Sequence, residues 1–292
     1  MTEPYVVAEQ LGKSFDSKVV LENLSFEVAP GEIVGVLGKN GAGKTTLLDL
    51  MLGFSRPTTG RVSVFGHESF RLPGAAKARI GFVPQQDELL APLTAADQIA
   101  MIASFYKSWD RGLIDRLIER WGVDPRARVR TLSAGQRQKL SILLALGHRP
   151  DLVVLDEPVA SLDPLARRQF LEEIVDVAHD GRRSVVFSSH IVSDIERLAN
   201  KIWILKNGHL YWRGDFDALK ESIVRVRLNG TRALPDRLDI PNAFSVERVE
   251  RSATAVVSHW GPAVESELAQ RTGARIEVEH LTLEEIFLEV HR

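Results

Sequence analysis

A glycine-rich segment at residues 38–45 has the residue types and spacing of a loop that binds phosphate. An apolar run at residues 33–37 precedes it and a helical pattern follows it, and glycines there would let backbone N–H groups curl around a phosphate chain at a helix N-terminus. Lys44 would then reach the terminal phosphates and Thr45 would bind magnesium. The alternative is a glycine-rich turn with a solvated lysine. The predicted phosphate-binding residues are Gly38, Asn40, Gly41, Ala42, Gly43, Lys44, Thr45 and Thr46.

Two acidic residues, Asp156 and Glu157, directly follow a short apolar run at residues 152–155. Such a run is typical of a strand buried on both faces, and ligands of open parallel sheets sit at the carboxyl ends of the strands. Asp156 could therefore hold magnesium, and Glu157 could orient and deprotonate an attacking water. The two acids could also merely form the turn before Pro158. The nearby presence of a phosphate-binding loop favours the catalytic interpretation.

Ser133 and His190 are further candidates, each at the start of a predicted helix. Ser133 can cap the helix that contains the apolar residues 140–146, and the positive end of that helix suits an anion. His190 follows a β-like run at residues 184–189 and could bond a terminal phosphate while holding the water and Glu157 in line. Purely structural roles remain the alternatives, as a helix cap and as a junction histidine.

These segments together resemble the ATP-binding cassette, the nucleotide-binding subunit of ABC transporters. The most specific part of the resemblance is Leu-Ser-Ala-Gly-Gln at residues 132–136 followed by Leu-Asp-Glu-Pro at 155–158 and Ser-Leu-Asp-Pro at 161–164. The resemblance covers nearly all of residues 3–220. It implies an α/β fold of the P-loop NTPase type, with a mixed core sheet flanked by helices, an antiparallel β subdomain and a helical subdomain that carries residues 132–136.

The resemblance also implies ATP and Mg²⁺ as cofactors. Gln85, which follows a strand-like run at residues 80–84, matches the glutamine that reaches magnesium in the family. The alternative is a solvated glutamine in a loop. The implied catalytic residues are Lys44, Glu157 and His190, and the implied metal-binding residues are Thr45, Gln85 and Asp156.

The family's site is shared between two cassettes that pack head to tail. The resemblance implies that Ser133 and Gly135 contact the nucleotide held by the partner cassette. The commoner signature has two glycines after its serine, whereas this chain has Ala134 and Gly135, which should preserve the contact because alanine is small. Phe15 stands where the family stacks an aromatic ring on adenine, with a half-buried aromatic at a strand end as the alternative. A second copy of this chain is the favoured partner cassette.

Composition limits the other classes of partner. The chain has 292 residues, no cysteine and a formal net charge of −2, so neither disulfides nor a general attraction to nucleic acid is expected. No apolar stretch approaches the roughly 18 to 20 residues needed to cross a bilayer. This chain is therefore not expected to span the membrane, and the resemblance implies a peripheral protein at the cytoplasmic face, attached through a separate integral membrane permease.

The sequence divides into two predicted domains. Residues 1–220 form the cassette, in which residues 5–8, 18–21 and 24–28 are predicted as successive strands and about 86–150 as a helical subdomain. Residues 202–210 are predicted as a hairpin with an Asn-Gly turn. Residues 221–292 are predicted as a small α+β accessory domain that resembles the tails of bacterial exporter cassettes.

The expected function is that of an ATP-hydrolysing subunit that dimerises around two ATP molecules and drives a membrane-spanning partner, in the direction of export. The alternative is a soluble ABC-type ATPase that acts in DNA maintenance or translation. Such relatives carry a long coiled-coil insertion, zinc cysteines or two cassettes in one chain, and the segment between Gly43 and Ser133 is too short for a coiled-coil arm.

Overall fold

The structure is a computed structural model that describes residues 3–159, 161–179, 181–230, 234 and 238–292. The chain divides into two compact units, Met1–Arg213 and Gly214–Arg292. The boundary expected near residue 220 falls inside the second of these units. Among the described residues, no helix combines the length and the apolar character needed to cross a bilayer.

Both units combine β-strands with short helices. The strands are β1 (Val6–Phe15), β2 (Lys18–Val28), β3 (Ile33–Leu37), β4 (Thr59–Val64), β5 (His67–Glu68), β6 (Ile80–Val83), β7 (Leu152–Asp156), β8 (Ser184–Ser189), β9 (Lys201–Lys206), β10 (His209–Asp215), β11 (Val224–Asn229), β12 (Ala243–Val249), β13 (Ser252–Val257) and β14 (Arg275–His280). The helices are α1 (Lys44–Leu52), α2 (Gly74–Lys77), α3 (Ala95–Ala103), α4 (Arg111–Trp121), α5 (Ala134–Leu146), α6 (Pro164–Ala178), α7 (Val192–Leu198), α8 (Phe216–Ser222), α9 (Pro262–Thr272) and α10 (Leu283–Val290).

The core of the first unit is a six-stranded sheet with the order β10-β9-β3-β8-β7-β6. The strands from β9 to β6 in this order pair in parallel, and β3 and β7 are buried along their whole length. Continuous apolar runs of this kind are expected in parallel strands that are covered on both faces. The predicted α/β class with a mixed core sheet is confirmed.

The hairpin predicted at residues 202–210 is present as β9 and β10. Asn207 and Gly208 join the two strands with φ of 50° and 79°. Positive φ at both central residues is what a two-residue type I′ hairpin turn requires, and Asn-Gly provides it at low cost.

A second sheet of the first unit has the order β2-β1-β4-β5, and β1 pairs in antiparallel fashion with both β2 and β4. The prediction of two strands at residues 18–21 and 24–28 is wrong, because both runs belong to β2. Leu21 pairs with Lys13 and Leu24 with Leu11, so β2 has one extra residue between these pairs. Asn23, with φ of 52°, lies in this bulge. The chain therefore continues as one bent strand where the sequence indicates a break.

The two sheets of the first unit share one hydrophobic core. Phe26 of β2 and Trp203 of β9 are almost fully buried, and their ring centroids lie 4.5 Å apart. Leu47 and Leu48 of α1 belong to the same cluster. The helix that follows the glycine-rich loop is thus fixed by packing against both sheets.

The segment predicted as a helical subdomain contains α3, α4 and α5. Thr94 and Asp97 form a capping box at the start of α3, and Ser133 and Gln136 form another at the start of α5. These reciprocal hydrogen bonds satisfy backbone N–H groups that would otherwise have no partner in the first turn. The start of α5, which carries Ser133, is therefore well defined.

The second unit is built on an antiparallel sheet with the order β12-β13-β11-β14. Val224, Val226 and Leu228 of β11 point into a small core, and Leu268 of α9 packs in the same cluster. The alternate residue Arg225 donates hydrogen bonds to Glu279 and Glu285. Side chains along β11 thus alternate between the core and the surface. The unit combines an antiparallel sheet with helices, as in the predicted α+β architecture.

The shared core of the first unit leads to a test of stability. We expect Phe26→Ala to lower the free energy of unfolding by about 3–5 kcal/mol, because it removes a buried ring and leaves a cavity. Phe105→Ala is the control, since the Phe105 side chain is 74% exposed, and it should change stability by no more than about 0.5 kcal/mol. Urea unfolding followed by circular dichroism measures both variants. Equal losses for the two variants would contradict the packing of Phe26 between the sheets.

Candidate active site

The glycine-rich loop connects β3 to α1 in a conformation that only glycine adopts easily. Gly41 and Gly43 have φ of 79° and 102°, and a Cβ atom at Gly43 would lie 2.7 Å from Cδ2 of Leu21. Gly43 also occupies the N-cap position of α1, where no side chain accepts a hydrogen bond from the first turn. The N-terminus of α1 therefore offers backbone N–H groups and the positive end of a helix dipole to an anion.

Lys44, the first residue of α1, is held in a buried position beside the loop. Its side chain is 6% exposed, and Nζ donates a hydrogen bond to the carbonyl oxygen of Gly38 at 3.0 Å. The same Nζ lies 3.4 Å from Oε1 of Glu157. Burying a charge is costly unless it is paired and hydrogen-bonded, so these two contacts stabilise the ammonium group in this position.

The two acidic residues occupy the carboxyl end of β7, as predicted. The parallel register of β7 and β8 places Asp156 opposite Ser188, whose Oγ donates a hydrogen bond to Oδ1 of Asp156 at 2.6 Å. The backbone N–H of Glu157 donates to the same Oγ at 2.9 Å. Glu157 has φ of 49°, a value that costs a residue with a side chain roughly 1–3 kcal/mol. Strain of this kind at a buried carboxylate is typical of a functional site.

His190 reaches the same carboxylate from the end of β8. Its Nδ1 lies 2.8 Å from Oε2 of Glu157, and its side chain is half-exposed. Because an ionised carboxylate can only accept hydrogen bonds, Nδ1 carries the proton in this contact. Glu157 thus has an ammonium group beside one oxygen and an imidazole N–H beside the other, an arrangement that fixes the plane of its carboxylate.

A cavity of about 410 Å³ lies over these groups. It brings together most of the predicted site residues, and it adds Lys18 and Val20, which the sequence did not single out. The predicted residues that line it are Asn40, Gly41, Gly43, Lys44, Thr45, Thr46, Gln85, Glu157 and His190.

A second cavity of about 320 Å³ contains the predicted metal-binding residues. Thr45, Gln85 and Asp156 line it together, and Thr45 and Gln85 also line the first cavity. Gln86 lines only the second. Asp49 of α1 lines it as well, and burial, followed by repulsion from Asp156, raises the pKa of the Asp49 carboxyl group above its usual value.

Sequence reasoning missed Asp49 and Ser188. Asp49 follows Thr45 by four residues in a predicted helix, so the spacing alone places it on the same face as Thr45. Ser188 is one of two adjacent serines at the end of an apolar run. Its contacts depend on the register between β7 and β8, which a single sequence does not give.

Five predicted nucleotide-binding residues, all within the part of the chain that the structure describes, are not among those that line the first cavity. Ser133 is exposed, and its Oγ accepts a hydrogen bond from the backbone N–H of Gln136 at 3.2 Å. A Cβ atom at Gly135 would lie 3.0 Å from the carbonyl oxygen of Ser161. Phe15 is 50% exposed at the end of β1, with Lys13 Nζ 4.7 Å from its ring centroid. Gly38 and Ala42 belong to the loop but are also not among the lining residues of this cavity.

Comparisons with known proteins agree with this fold. Residues 21–160 match the ABC transporter family. The chain is 31% identical over 300 residues to the Nod factor export ATP-binding protein I of Paraburkholderia xenovorans (strain LB400), which covers 99% of this chain and 97% of that protein. It is 34% identical over 213 residues to the bacitracin transport ATP-binding protein BcrA of Bacillus licheniformis, covering 72% of this chain and 70% of that protein. A solved structure of the ATP-binding subunit of an ABC transporter superposes with a TM-score of 0.68 at 27% identity, covering 74% of this chain and 92% of that one.

The chain therefore belongs to the ABC transporter family, as an ATP-binding subunit that hydrolyses ATP. Both relatives are named for transport or export, so the alternative of a soluble ATPase in DNA maintenance or translation is not favoured.

The loop conformation gives a direct test of nucleotide binding. We expect Gly43→Ala to weaken ATP binding by at least about 10-fold, because the added methyl group strains the backbone and meets Leu21. The control is Gly66→Ala, since Gly66 also has a positive φ of 77° but has nothing within 4 Å of its Cβ position. Titration with a fluorescent ATP derivative measures both. Undiminished binding by Gly43→Ala would show that this loop does not hold the nucleotide.

Proposed function

We propose that this chain works as one of two cassettes that close around two ATP molecules and drive a membrane-spanning permease. The observation that carries the proposal is the convergence of Lys44, Glu157 and His190 in the cavity formed by the glycine loop, while Ser133 stands on a different part of the surface. On this proposal a single chain supplies the phosphate-binding and water-activating groups, and the partner cassette supplies a serine.

The proposed hydrolysis uses the contacts around Glu157. Its carboxylate is the base that accepts a proton from the attacking water, and the hydrogen bond from His190 holds it in the required orientation. Lys44, which pairs with Glu157, would turn to the terminal phosphates of bound ATP and neutralise their charge. The ion pair between Lys44 and Glu157 therefore holds both groups beside the loop that receives the phosphates.

The predicted metal-binding residues fit Mg²⁺, which prefers oxygen ligands and few protein side chains. A hydroxyl from Thr45, an amide oxygen from Gln85 and a carboxylate from Asp156 meet at one cavity that adjoins the nucleotide cavity. We propose that these three residues hold the ion, directly or through water, with phosphate oxygens completing its coordination. The bound ion would neutralise charge that develops on the phosphates during transfer.

The second half of each site is proposed to come from Ser133 and Gly135 of the other cassette. The exposed N-terminus of α5 supports this role, since the positive end of a helix and a serine hydroxyl both suit a phosphate. A second copy of this chain is the proposed partner, and Phe15, half-exposed on β1, is proposed to stack on adenine.

Export is the proposed direction of transport. The support comes from relatives that are named for Nod factor export and for bacitracin transport. On this proposal the chain is peripheral, at the cytoplasmic face of the membrane, and is attached to it by the permease. The transported compound would contact the permease alone, so the ATP site is the same whichever compound is carried.

The role of Glu157 is tested by Glu157→Gln. We expect this variant to bind ATP normally but to release phosphate at least about 100-fold more slowly, because an amide cannot accept the proton of the attacking water. Glu119→Gln, an exposed glutamate on α4, is the control and should retain full activity. Phosphate release and titration with a fluorescent ATP derivative separate the two effects. Rapid steady turnover by Glu157→Gln would contradict the proposed base.

The composite site is tested by mixing inactive variants. Ser133→Asp should block hydrolysis because the new carboxylate repels phosphate, while Asp still caps α5 as well as Ser does. Each proposed site combines Glu157 of one chain with Ser133 of the other. In a mixed dimer of Ser133→Asp and Glu157→Gln both changes therefore fall in the same site, the second site contains neither, and we expect ATPase activity to return.

The control mixture combines Glu157→Gln with Lys44→Ala. Both changes affect the half of a site that contains the glycine loop. Each of the two sites in that mixed dimer therefore carries one of the changes, and no activity should return. Ser133→Asn, which keeps the cap without the charge, controls for the helix. Full activity of Ser133→Asp alone, or equal behaviour of the two mixtures, would contradict a site shared between chains.

A further inference from the structure

A buried serine connects the two acidic residues of the site. Ser188 is fully buried, and its Oγ donates a hydrogen bond to Oδ1 of Asp156 at 2.6 Å while it accepts one from the backbone N–H of Glu157 at 2.9 Å. A hydroxyl group has one proton to donate, and Ser188 donates it to Asp156. The result is a continuous chain of hydrogen bonds from the Glu157 backbone through Ser188 to the Asp156 carboxylate.

The contact with Glu157 acts on a residue whose backbone is strained. Glu157 has φ of 49°, in the left-handed region that residues with a side chain rarely adopt. Its amide hydrogen bond to Ser188 is part of what holds that conformation, together with the contacts of its carboxylate with Lys44 and His190. Loss of the hydroxyl would leave the backbone N–H of a strained residue without this acceptor.

The contact with Asp156 fixes a carboxylate that is itself only 2% exposed. Ser188 engages one carboxylate oxygen, which leaves the other for the proposed metal-binding role. Because each hydrogen bond in such a chain polarises the next, the amide of Glu157 strengthens the bond that Ser188 donates to Asp156. Ser188 thereby links the orientation of the Asp156 carboxylate to that of the Glu157 backbone.

We propose that Ser188 is a positioning residue for ATP hydrolysis, which sets the metal-binding carboxylate of Asp156 and the backbone of Glu157 in one fixed relation. The inference rests on the site assigned above, in which Asp156 holds the ion and Glu157 activates water. Ser188 touches neither substrate nor ion on this proposal, and it acts through the two acidic residues.

The test compares Ser188→Ala with a matched control on the same strand. Ser184 is also fully buried on β8, and its Oγ likewise donates one hydrogen bond, to Ala29, and accepts one, from Gly31. We expect Ser188→Ala to lower kcat by roughly 10- to 100-fold with little change in KM for ATP. Ser184→Ala should leave kcat near the wild-type value at temperatures where it is folded.

A second readout does not depend on turnover. The affinity of the protein–ADP complex for Mn²⁺, measured by electron paramagnetic resonance, should fall roughly 10-fold or more in Ser188→Ala and stay unchanged in Ser184→Ala. Ser188→Cys replaces the hydroxyl with a somewhat larger thiol that donates only weakly, so it should change kcat and Mn²⁺ affinity in the same direction if the alanine variant does not fold. The chain has no other cysteine with which the new thiol could pair.

The outcomes separate this inference from the proposed function. If Glu157→Gln stops turnover while the Ser188 variants keep wild-type kcat and Mn²⁺ affinity, the site assignment stands and the role of Ser188 is wrong. If the Ser184 and Ser188 variants lose activity and Mn²⁺ affinity equally, the effect is one of general stability and the role of Ser188 is again wrong. If Glu157→Gln turns over rapidly, the site assignment itself fails.

Discussion

The candidate active site depends on three neighbouring parallel strands that end at the same level. The register pairs Leu37 of β3 with Ser189 of β8, and Ser188 of β8 with Asp156 of β7. The glycine loop, the acidic pair and His190 lie at or directly after these strand ends, so the sheet brings together groups that are far apart in sequence. Side-chain contacts such as those of Lys44 and His190 with Glu157 then form between them. Backbone hydrogen bonds of the sheet position the site, which explains why its residues lie where ligands of open α/β sheets bind.

Several features of the site are unfavourable for stability taken by themselves. The buried ammonium of Lys44 and the carboxylate of Glu157 must both lose water, and a buried ion pair often contributes little or nothing net to folding. Glu157 adds backbone strain. The apolar core around Phe26 and Trp203 offsets these costs through burial of large rings. The fold itself therefore holds the site groups in place, which reduces the rearrangement needed on nucleotide binding.

The sequence was sufficient to predict the parts of this structure that depend on local patterns. The apolar runs of β3, β7 and β8, the loop before Lys44 and the Asn-Gly hairpin all have short-range signals. It was not sufficient where long-range pairing decides the outcome. The continuity of β2 through its bulge depends on pairing with β1. The two hydrogen bonds of Ser188, with Asp156 and Glu157, depend on the pairing of β8 with β7. Lys18, the first residue of β2, lines the first cavity together with residues of the glycine-rich loop.

The packing of this chain favours glycine at position 135 for a reason that does not involve nucleotide binding. A Cβ atom at this position would approach the carbonyl oxygen of Ser161 to 3.0 Å, so glycine allows the first turn of α5 to lie against the segment between the acidic pair and α6. Asp163 in that segment caps α6 through Leu165 and Ala166. The start of α5 thus lies close to Ser161, which precedes α6 in the chain. Replacement of the neighbouring glycine of the commoner signature by Ala134 is compatible with this packing, because the close approach involves Gly135 and Ala134 is exposed.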